Sequence, residues 1–292
     1  MKGTNTIWFG ANNSLQKILM LNFMLFLVIR ITFAISSLFN TPIFSFDVVS
    51  NWLAVPSNLS VLLLRPWTLL TYMFYHWDFM HILFNMLWLY WMGNIIVEFL
   101  GEKKLLGIYL MGGFFGALAY LISFNLFPIF AATVDHSFAL GASASVLAIT
   151  VAAATLLPDY KVQLLFLGSV PLKAIAAVSV LLDVISVSGD NAGGHIAHLG
   201  GAMFGFIYIR LLKNGTNLTS WIESLRLPSF RKGSKLTVAY RGTSTDENFN
   251  LNKKANQEYM DEILDKINKS GYGSLTQAEK DFLFRMSKED RK

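Results

Sequence analysis

Ser143 sits in "LGASASVLAIT", residues 140–150, within a long apolar region. Four more residues with chemistry of their own lie in similar surroundings: His81 and Asn85 in "HILFNM", and His195 and His198 in "GGHIAHLGGAMFG". A serine hydroxyl is a poor nucleophile alone, but a neighbouring neutral imidazole takes its proton as the oxygen attacks a carbonyl carbon. The oxyanion that forms needs donors aimed at it, and the Ser143 N–H, the Asn85 amide and the His81 imidazole are donors of the right kind. His81 and Asn85 are i and i+4, so they share one helix face. Ser143 and Ser145 are two apart and point about 200° apart on a helix, so only one of them faces such a site.

The elements that must position these residues are membrane helices. The chain has 292 residues, of which 53% are apolar and only 15% charged. Its mean hydropathy is +0.45. That is too apolar for an ordinary soluble domain. With no cysteine there is no disulfide framework, thiolate nucleophile or cysteine-based metal site. A spanning helix needs about 20 mostly apolar residues. Six segments qualify, at roughly 17–39, 79–99, 104–125, 140–157, 174–188 and 194–213. The expected fold class is an all-α polytopic membrane protein, a bundle of six transmembrane helices. The fifth is the weakest, because "YKVQLLFLGSVPLKA" before it carries Pro171 and Lys173 and reads as an interfacial turn. The amino-terminal stretch does not read as a secretory signal, since its first apolar run is long enough to span.

Lys2, Lys17, Lys103, Lys104, Lys161 and Lys213 fall in one family of loops, and Arg65 alone in the other. The lysine-rich family is cytoplasmic by the positive-inside rule, which puts both termini inside. Arg30, within segment one, is expected to snorkel or face a neighbouring helix. The first outer loop, about 40–78, is too apolar for water, yet Pro56, Arg65 and Pro66 interrupt it as a span. It is expected to lie partly in the outer leaflet.

This orientation runs segments two, four and six from outside to inside. At 1.5 Å rise per residue, His81, Asn85, Ser143 and His198 then lie within roughly 10 Å of the outer helix ends. Polar groups gathered at one depth exceed what packing usually requires. Gly141, Ala142 and Ala144 on segment four, and Gly201 and Gly205 on segment six, allow the close contact that brings Ser143 to His198. Gly112 and Gly116 on segment three read as helix packing, and Ser145 as a packing serine. Asp183 is expected well before the outer end of segment five, and Asp190 in an outer loop. The sequence therefore predicts a Ser–His dyad without an acidic third member. His195 and His198 are spaced to share a metal, but no further ligand is evident and there is no His-Glu-x-x-His pair, so no metal or cofactor is expected.

These motifs together resemble the rhomboid family of intramembrane serine proteases. "HILFNM" is similar to its His-x-x-x-Asn motif, "GASA" to its Gly-x-Ser-x motif, and "AHLGGAMFG" to its Ala-His-x-x-Gly-x-x-x-Gly motif. "RPWTLLTYMFYH" (65–76) resembles the family's approach to the second helix, and Glu98 matches a common acidic position. The resemblance covers roughly 17–213. It implies a protease domain there, with Ser143 as nucleophile, His198 as general base, and His81 and Asn85 at the oxyanion. It further implies a membrane-embedded first loop, and a fifth helix and cap loop that take part in substrate access. The implied partners are transmembrane protein substrates and the lipid bilayer, with no nucleic acid. The implied setting is a bacterial plasma membrane. The sequence departs from the family at Ala144, where many members have glycine. It departs again at Leu147, where many have an aromatic stacked on the histidine. His195 offers a second imidazole, but the motif spacing selects His198. Two other readings are a non-proteolytic relative that binds membrane helices, and a transporter. The first is disfavoured by the presence of both Ser143 and His198, the second by the apolar inner halves of segments four and six.

Residues 1–16 are expected to be a cytoplasmic amino terminus, and 214–292 a polar cytoplasmic tail that begins with a linker. In the tail Met260, Ile263, Leu264 and Ile267 recur at helical spacing. Thr276 and Glu279 form a capping box ahead of Phe282 and Leu283. A small helical hairpin at about 255–288 is expected, available to a cytoplasmic partner.

Overall fold

The computed structural model describes residues 13–41, 44–164, 168–189, 191–224 and 259–289. Asp190, the first twelve residues and most of the tail linker lie outside them. The chain divides into two units, Met1–Leu227 and Pro228–Lys292.

Asn13 starts α1 (Ser14–Leu38), its Oδ1 accepting from the Leu15 and Gln16 N–H groups. The first loop holds α2 (Phe46–Leu53), β1 (Val55–Pro56), α3 (Leu59–Leu64), α4 (Thr68–Thr71) and a 3-10 turn at Tyr72–Phe74. Then come α5 (Phe79–Leu100) and α6 (Glu102–Leu126), joined through Gly101 at a φ of +89°. β2 (Phe138–Ala139) leads into α7 (Ser143–Leu156). β3 (Lys161–Leu164) and β4 (Gly168–Pro171) precede α8 (Leu172–Ser186), α9 (Ala192–Lys213) and α10 (Ser220–Ser224).

Among the described residues, α1, α5, α6 and α9 are long and apolar enough to cross a membrane. α7 and α8 have 14 and 15 residues. They rise only about 21–23 Å, against a hydrocarbon core of about 30 Å. Exposed Met20, Phe23, Met24, Val28 and Ile31 give α1 an apolar outer face that suits acyl chains rather than water.

Contacts at one end of the bundle set the helix directions. The Ser14 N–H donates to Glu102 Oε2 (3.0 Å), joining the starts of α1 and α6. Lys213 Nζ donates to the Thr155 carbonyl (2.9 Å), joining the ends of α7 and α9. Ser143 and the starts of α5 and α9 therefore share the opposite end, the common depth expected from the sequence.

α7 is held between α6 and α9 with almost no side chain intervening. A methyl on Gly201 would strike the Ala144 carbonyl oxygen, and one on Gly205 the Ala148 carbonyl oxygen. Gly112 and Gly116 meet the β-carbons of Ala148 and Ala144 from the α6 side. The packing glycines of α6 thus seat the very helix that carries Ser143.

The first loop is tied to the bundle. β1 pairs antiparallel with β2, with Val55 opposite Ala139 and Pro56 opposite Phe138. Tyr109 Oη donates to the Met73 carbonyl at 2.7 Å. Arg65 Nη1 donates to the Asn51 carbonyl (2.6 Å), and its guanidinium lies 5.0 Å from the Trp52 ring, which stacks on Trp67. Leu63 and Leu64 stay largely exposed, an apolar face suited to lipid. Arg30 lies over Phe33 and Trp77, so it faces aromatic rings of its own bundle. The segment expected to be an interfacial turn is instead a two-stranded hairpin. Its β-branched Val162 and Val170 pair across the strands, and Gly168 supplies a φ of +69°.

In the second unit, residues 259–270 form α11 and Gln277–Glu289 form α12. Thr276 and Glu279 cap each other: the Thr276 N–H and hydroxyl donate to Glu279 Oε2, and the Glu279 N–H to Thr276 Oγ1. Lys266 Nζ reaches the same carboxylate at 2.8 Å, and Tyr259 packs edge-on against Phe282. The Lys266 ammonium, with the Thr276 donors, pulls the Glu279 carboxyl down from 4.5 to about 2.

Two outcomes are expected. Gly201→Val should lower the thermal unfolding midpoint in detergent, at a cost of about 1–3 kcal/mol or more, because a backbone oxygen cannot yield to it. An unchanged midpoint would contradict the seam. For the tail, the depressed Glu279 pKa means its contribution to stability is complete above pH 4.5 and is lost as pH falls toward about 2. Amide exchange of residues 259–289 should show that loss of protection, and Glu279→Gln should flatten it.

Candidate active site

Ser143 is the first residue of α7, with Ala142 as the cap. Its N–H has no acceptor within the helix and stands at the positive end of the helix dipole. Ser143 Oγ lies 2.6 Å from His198 Nε2, and His198 Nδ1 lies 2.8 Å from Asp183 Oδ1. A carboxylate only accepts, so His198 Nδ1 carries the hydrogen, and Nε2 of the neutral ring is left to accept from the serine hydroxyl. The same Asp183 oxygen accepts from His195 Nδ1 at 2.7 Å.

This corrects two expectations. Asp183 is only three residues from the end of α8 at Ser186, so about 4.5 Å from its outer end and level with His198. The pair Ser143–His198 therefore has an acidic third neighbour. Likewise His195 and His198 do have a further ligand beside them. Their nitrogens and the Asp183 oxygen lie within 4.8 Å of one another.

Ser143, His198 and Asp183 line a cavity of about 720 Å³ that His81 and Asn85 also line. Gly141 makes room for His81. It has a φ of +110°, and a β-carbon there would lie 2.6 Å from His81 Cε1. Ser145 is fully buried on the other face of α7, its Oγ against Gly113. Leu147 lines the cavity where an aromatic would stack in many members of the family the motifs resemble.

His76 carries a role that sequence reasoning missed. Fully buried, its Nε2 accepts from Asn85 Nδ2 and from the Ala142 N–H, each at 3.2 Å. It therefore aims the Asn85 amide, whose second N–H remains for the cavity, and fixes the residue before Ser143. His76 lies in the turn before α5, and one of its partners is 66 positions away, so no local spacing signals it.

A partly buried serine–imidazole–carboxylate chain thus stands in a bundle of apolar helices, several of them long enough to cross a membrane. The rhomboid domain profile matches residues 64–215, more than half of the chain, and a family of unknown function matches 243–289. The presenilin-associated rhomboid-like protein A, mitochondrial, of Danio rerio is 33% identical over 47% of this chain and 35% of its own length. The RHOMBOID-like protein 12, mitochondrial, of Arabidopsis thaliana is 31% identical over 52% and 48%. The rhomboid protease GlpG of Salmonella newport is 42% identical over 21% and 22%. Each match spans less than half of the relative's length. The chain belongs to the rhomboid family.

His76→Leu should leave two buried donors unpaired, at about 1–3 kcal/mol each. The unfolding midpoint in detergent should fall, and His76→Gln, which restores an acceptor, should recover part of it. Equal midpoints for Leu and wild type would remove His76 from the site's support.

Proposed function

We propose that the protein is an intramembrane serine endopeptidase that hydrolyses peptide bonds in or near transmembrane segments of membrane-protein substrates. The observation that carries this reading is the chain from Ser143 Oγ to His198 Nε2 at 2.6 Å and from His198 Nδ1 to Asp183 at 2.8 Å, beside an open cavity. Ser143 Oγ attacks the scissile carbonyl carbon while His198 Nε2 takes its proton. The oxyanion is met by the Ser143 N–H, the free Asn85 N–H and the His81 imidazole. As the C–N bond breaks, His198 gives its proton to the departing amine. Water then attacks the acyl-serine by the same route, with His198 again as base. Asp183 is a positioning residue: it holds the productive tautomer and stabilises the imidazolium that forms.

The lysine distribution supports cytoplasmic termini and a cavity opening to the outside. The proposed setting is a bacterial plasma membrane, resting on the family resemblance. The mitochondrial setting is that of the Danio rerio and Arabidopsis thaliana relatives. The tail hairpin, outside the catalytic unit, is proposed to meet a partner of its own.

The test is labelling of the purified protein by a serine-reactive phosphonate, alongside cleavage of a transmembrane peptide. Ser143→Ala and His198→Ala should abolish labelling, while Ser145→Ala should retain it. Asp183→Asn should keep the fold and lower kcat on the order of 10²–10⁴-fold, with little effect on KM. Labelling that survives Ser143→Ala would refute the nucleophile.

A further inference from the structure

Asp183 accepts two imidazoles on one oxygen. A base needs only one orienting acceptor, so His195 is surplus to the proposed hydrolysis. His195 Nδ1 and His198 Nδ1 approach Asp183 Oδ1 at 2.7 and 2.8 Å from the same side of α9, one turn apart, with all three atoms within 4.8 Å. The rings stand nearly perpendicular, 5.8 Å apart at their centroids. The His195 and His198 side chains are 26% and 22% exposed and that of Asp183 is 10% exposed, so the group is accessible without being free in water, and Asp183 and His198 line the cavity. Two imidazole nitrogens and a carboxylate oxygen are a ligand set for Zn²⁺ or a similar first-row divalent cation. Mg²⁺ and Ca²⁺ prefer all-oxygen shells.

We propose that Asp183, His195 and His198 form an inhibitory site for a divalent transition-metal cation such as Zn²⁺, with water completing the coordination. The consequence follows from the tautomer. A neutral imidazole carries one N–H. In the metal-free site His198 keeps it on Nδ1, where Asp183 accepts it, and Nε2 faces Ser143 as a base. A cation on Nδ1 moves that proton to Nε2. The nitrogen 2.6 Å from Ser143 Oγ then donates instead of accepting, and the serine cannot lose its proton. Each imidazole retains its one hydrogen, so the switch needs no net proton release from either ring. The metal acts on the base, leaving Ser143 in place.

The inhibition rests on the proposed protease reading; the binding does not. Binding is therefore read first and separately, on full-length Ser143→Ala protein in detergent. Co²⁺ should give the visible absorption of a four-coordinate nitrogen–oxygen site, and Zn²⁺ titrated by calorimetry should bind with a stoichiometry of one. His195→Gln and, independently, Asp183→Asn should each weaken binding about tenfold or more. The second readout is phosphonate labelling of protein with an intact Ser143. Zn²⁺ should suppress it, a chelator should restore it, and Mg²⁺ should leave it unchanged. His195→Gln, compared with its own chelator-treated rate, should lose most of the Zn²⁺ effect. No stoichiometric binding, or binding that survives both substitutions, would overturn the site. Stoichiometric binding with undiminished labelling would overturn the tautomer switch. If the metal binds as expected but no protein labels under any condition, the protease reading fails and the metal site stands.

Discussion

The close approach of α7 to α9 is the constraint on which the rest depends. Gly201 and Gly205 have no side chains, so the carbonyl oxygens of Ala144 and Ala148 rest almost against the α9 backbone. Within a bilayer, water expulsion does little to drive helices together, and close packing of small residues does much of the work. That seam determines how far Ser143 stands from His198. A side chain at either glycine would separate the helices by more than a hydrogen bond tolerates. α6 closes the other side of α7 with Gly112 and Gly116, so the helix that carries Ser143 cannot shift away from His198.

Once the seam has set the distance, something must still orient the imidazole. Leu147 offers no ring to stack on it. Asp183 does the orienting through a hydrogen bond, which fixes the tautomer as well as the plane. A stacked aromatic would fix only the plane. A carboxylate with little exposure among apolar helices is costly unless its acceptor sites are filled. Two imidazole N–H groups fill those of Oδ1 here. The missing aromatic and the extra histidine are therefore two sides of one arrangement.

The first loop supports the side of the cavity that holds His81 and Asn85. β1 pairs with β2 and so holds the segment that leads through Leu140 to Gly141. The Gly141 N–H donates to the Tyr72 carbonyl at 2.9 Å, and the Tyr72 hydroxyl in turn donates to the Gly113 carbonyl on α6. His76 completes the set by accepting from Asn85 and Ala142 together. A loop that looked too apolar for solvent is the frame that holds one wall of the cavity.

What the sequence by itself determined is local and periodic. Hydropathy located the helices, because a membrane helix must satisfy its own backbone over about 20 residues. Helical periodicity turned Ser143 and Ser145 to opposite faces, paired His81 with Asn85, and marked the small-residue stripes of α7 and α9. The capping box of the tail was equally readable, since its partners are three residues apart. Only the tertiary structure decided the roles that join distant segments. Asp183 reaches His198 because α8 ends at Ser186, a boundary that hydropathy resolves only to within a few residues. His76 serves Ala142 across 66 positions, and the β1–β2 pairing joins segments still further apart. The hairpin before α8 is set by pairing that no single strand announces. Periodicity reports which way a side chain points; what it meets there depends on how the helices cross and where they stop.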